Sequence, residues 1–132
     1  MNEASEQRDL VKSPNSALLL WCLPITVILL TGSWLRDGWI VTLSWTLSLV
    51  VMGAGCLVNA SGCGRMHCYF TGPFFLFMAV VSSSYGLGLL PLGPRGWQYI
   101  GAVLLAGGVL LFYVPEWIWG RYRRGHAGTG EC

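Results

Sequence analysis

The sequence predicts an all-α integral membrane protein, a bundle of four helices, and three observations predict it. Charged residues make up 11% of the chain, against about 25% in an average soluble domain. They are also absent over long stretches: no Asp, Glu, Lys or Arg occurs from Gly38 to Gly64, or from Met66 to Pro94. The apolar runs have the ~20 residues that a hydrocarbon layer of ~30 Å requires of a helix. Lipid offers no partner to backbone N–H and C=O groups, so such runs must pair them internally. A β-barrel is not supported, because the runs Ile25 to Leu30 and Val103 to Leu111 lack the two-residue alternation of a barrel strand. A chain of 132 residues fits one compact unit.

Residues 1–16 form a polar leader, and the first span is expected from Ala17 to Leu35, after the helix-start composition Ser13-Pro14-Asn15-Ser16. The leader mixes Glu3, Glu6 and Asp9 with Arg8 and Lys12, and no small-residue cleavage site follows the span, so it does not read as a secretory signal. The second span is expected from Trp39 to Asn59, set off by Arg36-Asp37-Gly38. The third is expected from Pro73 to Leu92, with Pro73 in its first turn and a soft middle over Ser82 to Gly88. The fourth is expected from Trp97 to Trp119, after the breaker Pro91 to Gly96. Pro24 and Pro115 are tolerable kinks. The spans together occupy residues 17–119, with a loop at about 60–72 and a basic tail over 120–132.

Trp34, Trp39, Trp97, Tyr99, Trp117, Trp119 and Tyr122 lie near these boundaries, as amphipathic rings do at headgroup level. Trp21 and Trp45 fall inside spans and are expected against lipid or a neighbouring helix. Four spans put both termini and the middle loop on one side, which carries Arg8, Lys12, Arg65, Arg121, Arg123 and Arg124; the other carries Arg36 and Arg95. That asymmetry predicts a bacterial inner-membrane protein with cytoplasmic termini. The run Arg121-Tyr122-Arg123-Arg124 reads as an anchor at anionic headgroups, not as a nucleic-acid site. Small residues at Gly53, Gly55, Ser82, Gly86, Ala102 and Ala106 mark helix contacts and favour a compact bundle, open to self-association.

The chemistry is concentrated between the second and third spans. Cys56, Asn59, Cys63, Arg65, His67 and Cys68 fall within thirteen residues. Thiolate and imidazole are the donors of Zn(II), Cu(I) and heavier soft ions such as Hg(II). Cys63, His67, Cys68 and Cys56 are therefore the candidate metal ligands, and the irregular spacing suits two or three donors better than a structural tetrahedron. Cys56 lies two turns before Cys63 and would share its face if the helix ran on. Arg65 is a cation that favours thiolate. Cytoplasmic thiols are kept reduced, which disfavours a structural disulfide and leaves a ligand or redox role. The bland alternative is a tight turn with incidental thiols. Cys22 reads as a small packing residue and Cys132 as part of the tail. Asn59 is expected to cap the second helix, with a hydrogen bond across the bundle or to His67 as the alternatives, and Thr71 or Gly72 to begin the third. Glu116, an acid in the apolar portion, is expected to pair with Arg121 or Arg65. No nucleophile–base–acid set is recognisable along the chain.

The stretch Asn59 to Pro73 resembles a group of small bacterial multi-span proteins carrying an N-A-x-x-C-G-R-x-H-C-x-x-T-G-P segment. The resemblance implies that Asn59, Cys63, Arg65, His67, Cys68, Thr71 and Pro73 belong to one motif, and implies no activity. A looser similarity to small mercuric-ion transport proteins implies thiol-based ion handling, although this chain has the single Cys22, not a vicinal pair, in its first span. Three functions follow as expectations: transport or handling of a thiophilic metal ion, a structural or assembly role without site chemistry, and thiol–disulfide redox with a quinone or partner protein through Cys63 and Cys68.

Overall fold

The computed structural model describes residues 15, 18–34, 38–63 and 66–119. It is an all-α four-helix bundle, and no strand occurs among the described residues. A π-type turn, Leu18–Cys22, leads into α1, Leu23–Trp34. Pro24 offers no N–H to the carbonyl four residues before it, and the wider π turn lies just there. Then come α2, Gly38–Cys63, α3, Met66–Gly86, and α4, Gly96–Trp119. The last three are long and apolar enough to cross a membrane. The first apolar stretch spans about 25 Å at 1.5 Å per residue, near the lower limit for crossing.

Two expectations about boundaries change. Helix continues to Cys63 and resumes at Met66, so it covers most of the segment expected as a loop. The third helix also ends at Gly86 rather than Leu92. The stop is chemical: Gly88 adopts φ +76°, Gly88 N–H donates to Tyr85 O, and Leu89 N–H donates to Ser84 O. This pair of bonds around a left-handed glycine closes a helix. Pro73 therefore lies inside α3 rather than in its first turn. Thr71 does not cap it, since its hydroxyl donates back to His67 O at 2.9 Å. Asn59 is likewise internal to α2 and 2% exposed, not a cap.

Helix α2 packs most extensively on α3, α1 packs on α2, and α4 packs on α3. The α2–α3 crossing is set by glycines. A Cβ added at Gly53 would stand 3.0 Å from Gly72 O, and one added at Gly72 would stand 3.3 Å from Gly53 O. Close backbone approach of this kind drives association where lipid removes the hydrophobic advantage of burial. The expected contact at Gly86 also forms, with Thr42 of α2 filling the space beside it. On α4 the contact residue is Gly107, against Phe74, while Ala102 and Ala106 are exposed. The core, along α2 and α3, includes Trp45, Leu49, Met52, Cys56, Cys68, Phe75 and Met78. Trp45 meets Trp97 edge-on at 5.1 Å, and Trp21 meets Phe75 at 5.9 Å.

Replacing Gly72 with Leu is expected to overpack the crossing and destabilise the bundle by about 1–3 kcal/mol. Gly62→Ala, where an added Cβ meets nothing within 4 Å, serves as the control and keeps wild-type stability. Denaturant titration in detergent micelles checks both, and an unchanged midpoint for Gly72→Leu refutes the glycine crossing.

Candidate functional site

The end of the bundle where α2 finishes, α3 begins and α4 finishes gathers the polar side chains. Cys56 and Asn59 lie one turn apart on α2, and His67, Cys68 and Thr71 occupy the first two turns of α3. The Gly53–Gly72 crossing adjoins both groups and brings them face to face. Cys68 and His67 are fully buried, Cys56 is 1% exposed and Thr71 is 1% exposed.

Within this cluster each thiol is bound to a residue that lies one turn from the other thiol. Asn59 Nδ2 donates to Cys68 Sγ at 3.6 Å, and Thr71 Oγ1 lies 3.5 Å from Cys56 Sγ. Each sulfur is therefore flanked by one polar group from the opposite helix. His67 Nδ1 lies 2.6 Å from Glu116 Oε1. The ring also packs on Phe112, centroid to centroid 4.4 Å. Its Nε2 is buried and forms no hydrogen bond among the described residues. With Nδ1 carrying the proton, Nδ1–H donates to the carboxylate and Nε2 presents a free lone pair. Glu116, 20% exposed, is the cluster's link to the outside.

The structure thus brings Cys56, His67 and Cys68 together. The side chain of Cys63, with Arg65, lies outside the described residues, as do Arg121 and Cys132. Among the described residues no three His, Cys, Asp or Glu side chains are arranged to hold one metal ion. Glu116 pairs with His67 rather than with the arginines expected from sequence. A thiol, an imidazole and a carboxylate do gather at this end, as Cys68, His67 and Glu116, although no such set was recognisable along the chain. The signal available was the isolated carboxylate on an apolar helix, and its partner stands 49 residues away in sequence. Exposed Cys22 takes no part. No protein family, curated protein or solved structure matches the chain.

Glu116→Ala would leave a fully buried imidazole without its carboxylate, at a cost of about 1–3 kcal/mol. Glu116→Gln keeps an acceptor oxygen and should recover most of that loss. Denaturant midpoints of the two variants in detergent give the comparison; equal losses would mean that the contact contributes no stability.

Proposed function

We propose that this protein is a membrane dithiol redox protein whose working pair is Cys56 and Cys68. The observation that carries this reading is two buried thiols on neighbouring helices, each bonded to a side chain one turn from the other: Asn59 to Cys68 and Thr71 to Cys56. A disulfide forms when a thiolate attacks or is oxidised beside a second thiol. Cys68 is the better nucleophile of the two. It has the His67 imidazole at hand as a base, and Glu116 fixes that base in the tautomer that leaves Nε2 free. Asn59 donates to the Cys68 sulfur at 3.6 Å. Cys56 is the resolving thiol. The pair anticipated from sequence, Cys63 with Cys68, is replaced here by Cys56 with Cys68. On the basic-residue asymmetry, the site belongs at the cytoplasmic face of a bacterial inner membrane, where the reducing thiol pool would supply its electrons.

A second reading is supported by the same two sulfurs. Two thiolates bind a soft divalent ion such as Hg(II) as a neutral pair, which suits an apolar interior better than a charged complex. Cu(I) and Zn(II) complexes would need a further donor or counter-charge, for which His67 Nε2 is the nearest buried candidate. The protein would then handle or transport the ion, in keeping with the looser similarity to mercuric-ion transport proteins.

Mild oxidation of the purified protein with diamide is expected to join Cys56 to Cys68 and lower the number of alkylatable thiols by two. Peptide mass mapping identifies the pair. Cys56→Ser and Cys68→Ser should each abolish the bridge. A bridge that forms only to Cys63, or none at all, refutes the redox reading. Stoichiometric binding of Hg(II) in the wild type without any Cys56–Cys68 bridge would favour the second.

A further inference from the structure

Beside the dithiol runs a lateral groove of about 570 Å³, bounded by α1 on one side and α4 on the other, with α2 and α3 as its floor. We infer that this groove holds an isoprenoid quinone whose ring accepts the electrons of the Cys56–Cys68 pair; the inference rests on the dithiol redox reading. Three features argue for that occupant.

The first is reach. The α4 wall extends from Trp97 to Tyr113, about 24 Å at 1.5 Å per residue. The volume, spread over that length, is a slot for one linear chain and lies in the usual range of small-molecule sites. Its lining is almost wholly apolar, with Ile28, Phe75 and Leu104 along the middle.

The second is what the groove ends on. Thr71 and Phe112 line it, and each also touches the cluster. Thr71 lies against the Cys56 sulfur and Phe112 against the His67 ring. A planar ring seated at that end is separated from the sulfurs by one layer of side chains. Tyr113 lines the same end and is exposed enough for its hydroxyl to meet a ring carbonyl.

The third is access. Cys56 and Cys68 are buried at 1% and 0% exposure, and the groove faces the hydrocarbon region. An acceptor dissolved in lipid arrives at the cluster directly along the groove. A saturated acyl chain would fill the slot equally well but accept no electrons.

The reaction balances as Cys56–SH + Cys68–SH + quinone → Cys56–S–S–Cys68 + quinol. One S–S bond forms and two S–H bonds break. The two electrons reduce the ring, and the two thiol protons end on its oxygens.

The test uses the full chain, reduced, in nanodiscs, with decyl-benzoquinone as acceptor. Quinol formation is followed by absorbance and thiol loss by alkylation. One quinol per protein is expected in a single turnover, and none from Cys56→Ser or Cys68→Ser. Filling the slot with Gly108→Leu or Leu104→Trp should raise the half-saturating quinone concentration at least tenfold, while diamide still forms the Cys56–Cys68 bridge. That bridge shows that each variant is folded with its thiols intact. Wild-type protein that is bridged by diamide but yields no quinol overturns the quinone inference and leaves the dithiol reading standing. Quinol formation unaffected by both filling variants overturns the groove as its seat. Failure of every oxidant to join the two cysteines overturns the dithiol reading itself.

Discussion

The distance between α2 and α3 governs everything at the site, and two facing glycines set it. A side chain at Gly53 or Gly72 would run into the opposite backbone carbonyl or into Leu57 and Leu76. With none there, the helices close until side chains one turn away meet across the seam. Those side chains are Cys56 and Asn59 from α2, and Cys68 and Thr71 from α3. The placing of both thiols on one seam thus follows from backbone packing.

Hydrocarbon supplies the second constraint. A polar side chain in lipid must find a partner inside the protein or accept a penalty of a kcal/mol or more. Most hydroxyls here solve this locally. Thr26 donates to Cys22 O, Thr31 to Val27 O, Thr42 to Gly38 O and Ser83 to Ala79 O, each one turn back on its own helix. The cluster differs because its contacts run between helices: Asn59 to Cys68, Thr71 to Cys56 and His67 to Glu116. Groups that could be satisfied only by a neighbour specify which helix lies where, and they concentrate reactive atoms at one end. Yet satisfaction is incomplete, since His67 Nε2 is left without a hydrogen bond among the described residues.

Much of this was legible in the sequence. The absence of charge marked the helices, and the second and fourth were placed to within a few residues, because charged or glycine-rich turns bound them sharply. The third was displaced by nearly two turns. Pro73 looked like a helix start, but a membrane helix tolerates an internal proline, and the true stop, the left-handed Gly88, was hidden among other small residues. The cluster was legible as composition and not as geometry. Cys56, His67 and Cys68 were named; the placing of Cys56 and Cys68 on one seam depends on the Gly53–Gly72 crossing, which no local spacing reveals. Glu116 looked like an interfacial acid beside arginines because its partner lies on another helix.

The manner in which α4 is attached links the cluster to the groove. Its last turns are pinned by Glu116 on His67 and by Trp119 stacked on Phe70 at 5.7 Å. Its first turn is pinned by Trp97 against Trp45 and Tyr85, and Tyr85 in turn donates to Gly93 O at 2.6 Å. Between the pins, α4 leans on α3 through Gly107 and Phe74, and among the described residues no extensive packing joins it to α1. A helix held at both ends and along one side leaves a slot on the other. Glu116 and Phe112 are one turn apart, so the contact that orients the imidazole also fixes the ring that closes the slot. The base beside Cys68 and the end wall of the groove are consequently positioned by one element, and a shift of α4 would alter both together.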